Sequence, residues 1–143
     1  LVPLPLSNSV QVLRLSGGTL LLEAALSFGF SGGPLDVAVI PAAALPLGVP
    51  WPALVISEPG FPGSPSRVRW YRASSELDYE PAGELATSLG LPLLAEPSDT
   101  DGDGRADVLI CDVLGGEQGL YRSAGGPFGL AAAQWIPGPN SPS

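Results

Sequence analysis

The sequence lacks histidine, lysine and methionine altogether and has one cysteine, Cys111. Without histidine, a Ser-His-Asp triad, a Cys-His pair, a His-Glu-x-x-His zinc helix and every Cys/His zinc cluster are excluded, and no enzyme is expected. Charge is scarce as well. Only 14% of residues are charged, against about a quarter in ordinary soluble domains, so little charge is available to solvate a lone chain and a homo-oligomer or polymer is expected. The charges are six arginines against fourteen acids, a net −8. That balance removes the counterion release that drives nucleic-acid binding and opposes contact with anionic membranes. The longest uncharged stretch, Val37 to Ser57, is interrupted by Pro41, Pro46, Pro50 and Pro52. Each proline would deprive a helix of a hydrogen bond, so no membrane-spanning helix is expected. A start at Leu1 rather than Met predicts processing; a removed signal peptide is its simplest source, and an extracellular location follows.

What the chain does contain is glycine (19), proline (17) and a 45% share of hydrophobic residues in 143. A disordered chain lacks that much apolar material. The glycines and prolines therefore punctuate short strands, and an all-β fold of antiparallel strands is expected, as a sandwich or a partial, propeller-like arrangement. Residues 1–9 read as an extended Pro-rich arm, 10–135 as one β domain and 136–143 as a Pro-rich tail.

Within the domain, Val10 to Leu15 is strand-like, Ser16-Gly17-Gly18-Thr19 is a hairpin turn, and the return strand runs from Leu20 through Phe28 and Phe30. Further strands are expected at Asp36 to Ile40, Ala53 to Ser57, Arg67 to Arg72, Asp107 to Asp112 and Leu120 to Ser123, with a helical turn at Glu84 to Leu89. Alternation puts Arg67, Arg69 and Tyr71 on one face and Val68 and Trp70 on the other. Cys111, in an aliphatic run, reads as a buried, inert thiol. Trp51, Trp70, Trp135, Phe28 and Phe30 read as core or subunit contact, and Glu76, Asp78 and Glu80 as a solvated face. An internal repeat is also visible. Ala53-Leu54-Val55-Ile56-Ser57-Glu58 followed by Trp70-Tyr71-Arg72 parallels Asp107-Val108-Leu109-Ile110-Cys111-Asp112 followed by Leu120-Tyr121-Arg122. The spacing of about 50 residues is that of a propeller blade, and it gives blade-like repeats at about 53–90 and 98–135.

The sharpest chemical feature is Asp99-Thr100-Asp101-Gly102-Asp103-Gly104-Arg105-Ala106-Asp107. Carboxylates at loop positions 1, 3, 5 and 9 converge when the backbone curls, Gly104 permits the turn, and the Arg105 carbonyl supplies a further oxygen. Hard oxygen donors in this number suit Ca2+ better than Mg2+, which demands stricter octahedral geometry. An EF-hand needs a bidentate Glu at position 12, where this chain has Ile110.

The loop runs directly into a strand at Asp107-Val108-Leu109-Ile110. Gly115-Gly116, Leu120-Tyr121-Arg122 and Gly125-Gly126-Pro127-Phe128-Gly129 follow. Over roughly residues 95–130 this resembles the FG-GAP or VCBS repeat of integrin-α-like β-propellers. The resemblance implies Ca2+ held by Asp99, Asp101, Asp103, Asp107 and the Arg105 carbonyl. The earlier copy, preceded by Leu47-Gly48-Val49-Pro50-Trp51-Pro52, has no such acids and would be metal-free. Propellers need at least four blades, and this chain offers two plus an N-terminal hairpin.

The expected function is that of a secreted, calcium-binding, non-catalytic structural protein that self-assembles into an extracellular filament or tube. Strand addition by the Val2 to Leu6 segment or the strand from Val10, with calcium-stabilised contacts, would build it. The alternative is a ligand-binding fragment of an integrin-like propeller, recognising a protein or glycan.

Overall fold

The structure, a computed structural model, describes residues 1–4, 8–28, 33–45, 49–60, 64–87, 90–113, 118–123 and 130–136, with backbone alone at 2, 4, 86–87, 121–123 and 130–136. It is all-β and antiparallel. Eleven strands are described: β1 (Val2–Leu4), β2 (Ser9–Ser16), β3 (Thr19–Ser27), β4 (Asp36–Ile40), β5 (Ala53–Glu58), β6 (Ser66–Ser75), β7 (Asp78–Thr87), β8 (Pro92–Leu94), β9 (Val108–Asp112), β10 (Gln118–Ser123) and β11 (Leu130–Ile136). They form three open sheets, each in chain order: β1-β2-β3, β4-β5-β6-β7 and β8-β9-β10-β11. Among the described residues no helix is long and apolar enough to cross a membrane.

The middle sheet is covered on both faces, which is why β5 reads as an unbroken aliphatic run rather than an alternating one. All six of its residues are buried. On one face Ala53 and Val55 join Ala38, Ile40, Val68 and Trp70 in a cluster completed by Ala106, just ahead of β9, and by Val108 and Ile110 of the third sheet. On the other face Leu54, Ile56 and Tyr71 pack on Val10 of the first sheet, with Leu26 and Phe28 beside them. Fully burying each of the large aliphatics contributes about 1.5–3 kcal/mol, so the three-layer stack is the main source of stability. Asp36 adds a polar tie between sheets, accepting the Leu94 amide at 2.9 Å.

The repeated segments occupy matching places. β5 and β9 are second, and β6 and β10 third, in two four-stranded meanders. The terminal acids of the second strands, Glu58 and Asp112, are both buried. Glu58 pairs with Arg69 at 2.8 Å, and Asp112 accepts the Leu91 amide at 3.1 Å. The meanders span 36–87 and 92–136, so each starts ahead of the repeat bounds read from the sequence.

Val2–Leu4 of the extended N-terminal arm is an edge strand, paired with Ser9–Gln11 of its own chain. One expectation is corrected. Glu84 to Thr87 is strand, not a helical turn, because Glu84 lies across from Arg69 and the ladder continues to Ser66↔Thr87. Leu130–Ile136 is a further strand, paired with β10. Trp70 is core and Trp51 half-buried, whereas Cys111 is only half-buried. Phe30, Leu89, Gly115-Gly116, the segment 124–129 and the tail 137–143 lie outside the described residues, as do the side chains of Tyr121 and Trp135.

Candidate metal centre

The acidic segment fills the connection between β8 and β9. Its outgoing end is anchored by an isolated bridge: Ser98 donates its amide to the Asp107 carbonyl at 3.1 Å and Asp107 returns its own to Ser98 at 2.8 Å. Ala106 donates to the Ala44 carbonyl at 3.2 Å, which fastens the loop to the turn after β4. Asp107 is thereby buried at the root of β9, while Asp99 and Asp101 are exposed above it.

Between the anchors the backbone curls around its own carboxylates. Asp99 Oδ1 accepts the amides of Gly102 at 2.7 Å and Asp103 at 3.1 Å, and Oδ2 accepts that of Gly104 at 2.9 Å. Gly102 and Gly104 have φ of 81° and 82°, left-handed values open to glycine and strained for other side chains. The Gly104 amide foremost, followed by those of Gly102, Asp103 and Asp101, holds the Asp99 carboxyl below its ordinary range, against a smaller opposing effect of desolvation.

One carboxylate oxygen from each of Asp99, Asp101 and Asp107 lies within 4.8 Å of the others. Three hard, anionic oxygens this close repel one another and fit a metal ion as the group that would neutralise them. The sequence placed five residues in this ring; the structure brings three together. Asp103 instead accepts the Arg105 amide at 2.8 Å, a local side-chain turn. That bond adds to the curl on which the three converging carboxylates sit. The sequence reading overlooked Thr100, whose amide (3.0 Å) and hydroxyl both donate to Asp107 Oδ2. Its place between two aspartates, where a short hydroxyl side chain can reach a neighbouring acceptor, was the available signal.

Of the other acids, Glu80 pairs with Arg72 at 3.1 Å and Asp78 accepts the Ser74 hydroxyl at 2.9 Å, both at the exposed β6–β7 turn. Comparison of the chain with protein-family models, with curated proteins and with solved structures finds no match.

Proposed function

We propose that this chain is a calcium-stabilised, non-catalytic structural module that self-assembles outside the cell. The observation that carries this reading is the convergence of Asp99, Asp101 and Asp107. An all-oxygen donor set on a curled loop favours Ca2+, and so does the resemblance of residues 95–130 to FG-GAP and VCBS repeats. Extracellular modules bind it at roughly 10⁻⁴–10⁻³ M, an affinity suited to an exposed site of three carboxylates. The ion would fix the β8–β9 connection and, through Ala106 and Ala44, its seat on the middle sheet.

Assembly is supported by the outer faces of the stack. On the first sheet, register and alternation put Leu13, Leu15, Leu20 and Leu22 on the side away from Val10, and the last three are 67%, 64% and 59% exposed. On the third sheet, Leu93, Leu109, Cys111 and Leu120 share the side away from Ile110. A second copy laid first sheet on third sheet would continue the face-to-face packing that the chain already uses twice internally. Such a contact is head-to-tail and propagates into a filament.

Light scattering with calcium and then with chelator tests this. An oligomer that dissociates on chelation is expected, and a monomer under both conditions would overturn the assembly. The second reading, a ligand-binding portion of an integrin-like propeller, draws on the matching meanders β4–β7 and β8–β11.

A further inference from the structure

Along β6, alternation puts Arg69, Tyr71 and Ala73 on the face that packs on Val10. Opposite them on β7 stand Glu84, Pro81 and Tyr79. One end of this face is therefore ionic and the rest is largely aromatic. Phe28, just past the end of β3, lies over Tyr71 with ring centroids 4.5 Å apart, and its amide donates to the Asn8 carbonyl at 3.3 Å. Phe28, Arg69, Tyr71, Tyr79, Pro81 and Glu84 line a cavity of about 500 Å3, within the size range of small-molecule sites.

The charges at this cavity are balanced. Arg69 donates to Glu84 at 2.7 Å, pairs with the buried Glu58 at 2.8 Å and hydrogen-bonds the Tyr71 hydroxyl. Arg67 donates to the other Glu84 oxygen at 3.1 Å. Two guanidinium groups and two carboxylates sum to zero. A cationic ligand would meet Arg69, and an anionic one would meet Glu84 with Glu58 behind it, each at the expense of an existing pair. An uncharged ligand meets neither repulsion.

Hydrogen-bonding capacity, by contrast, is left over. Each Glu84 oxygen accepts one arginine and keeps a second lone pair. The Arg69 hydrogen bond foremost holds the Glu84 carboxyl below its ordinary range, so at neutral pH it accepts only. Among the described residues nothing hydrogen-bonds the Tyr79 hydroxyl, and burial raises this phenol, which stays protonated and able to donate. A ligand lying between them needs groups that donate to Glu84 and accept from Tyr79, on a body that can rest against aromatic carbon. A flat aromatic molecule supplies the body without the groups. A saturated, polyhydroxylated ring supplies both, because its C–H bonds meet the negative faces of aromatic rings while its hydroxyls surround the rim.

We propose that this cavity binds a neutral sugar, one pyranose ring resting on Phe28, Tyr71 and Tyr79 with its hydroxyls at Glu84 and Tyr79. An adjoining cavity of about 220 Å3, which shares Ser27, Phe28 and Tyr79 and runs to Asp78, gives room for the glycosidic substituent. The site uses neither the acidic loop nor the outer leucine face.

The probes are three methyl glycosides of similar size and different charge: the neutral glucoside, the anionic glucuronide and, in mildly acidic buffer, the cationic glucosaminide. Saturation transfer from the intact protein to the sugar ring protons, titrated to about 20 mM, is expected to give the glucoside a dissociation constant on the order of 1 mM. Both charged analogues should bind at least tenfold more weakly. Tyr79→Phe, which keeps the ring and its packing, should weaken the glucoside several-fold at an unchanged melting temperature. Glu84→Ala should weaken it tenfold or more and make the glucuronide the better ligand, since Arg69 then lacks one of its carboxylates. No transfer to the glucoside at the highest concentration, tighter binding of either charged analogue by the wild type, or glucoside binding unchanged in Tyr79→Phe would overturn the proposal.

Discussion

Gly83 lies directly across from Trp70 in the β6–β7 ladder, and a Cβ at position 83 would come within 2.3 Å of the indole. The absence of a side chain at 83 is what lets the largest residue of the core lie flat over β7 beneath the third sheet. Trp70 in turn supports Val55 and Val108.

Gly83→Ala is therefore expected to destabilise the fold by about 1–3 kcal/mol, the usual cost of overpacking a filled core. Urea denaturation followed by tryptophan fluorescence measures it. A midpoint equal to that of the wild type would show that Trp70 has room to move.

Calcium is expected to raise the melting temperature, with the gain growing as the logarithm of its concentration above the dissociation constant. Asp101→Asn keeps an oxygen for the Asp103 amide, which Asp101 accepts at 3.3 Å, but removes one of the three converging charges. It should lower calcium affinity by tenfold or more, roughly 1.4 kcal/mol, and barely alter stability in chelator. Asp103→Ala, outside the triad, should weaken affinity less. Isothermal titration of both variants decides the order, and the reverse order would return Asp103 to the ligand set.

Acid should weaken the fold through Glu84. The hydrogen bond from Arg69 (2.7 Å) holds this carboxyl below its ordinary value of 4.5, opposed by desolvation and aided by the charges of Arg69 and Arg67. A carboxyl with a folded value below the unfolded one contributes its full stability above pH 4.5 and loses it as pH falls through the folded value. Glu84 is 42% exposed, so the effect is modest. Denaturant midpoints between pH 6 and 3 should fall less steeply for Glu84→Gln than for the wild type, and identical slopes would remove Glu84 from the account.

Leu20→Glu places a charge on the outer leucine face without touching the core. It should abolish assembly at unchanged monomer stability. Cys111, on the opposite outer face, reports the same contact: its thiol should label more slowly in the assembled wild type than in Leu20→Glu. Equal labelling rates would show that the third sheet's outer face is not the contact surface.

Much of this was legible in the sequence because it depends on near neighbours in the chain. Breaker spacing located β2, β4, β5, β6 and β9, and the Asp-x-Asp spacing located the curl, since glycine conformation and side-chain-to-amide hydrogen bonds act over two to five residues. The strand at Glu84 to Thr87 was not legible. Its local helical propensity is overridden by pairing with Arg67 and Arg69 some 15 to 17 residues earlier, and strand preference is set by such cross-strand contacts more than by the residue itself. Tertiary structure also decided which aspartates meet. Asp107 reaches Asp99 and Asp101 because the Ser98 bridge returns the chain to it. The stacking of three sheets and the close seat of Trp70 on Gly83 depend on surfaces brought together from distant parts of the chain, and no local pattern encodes that meeting.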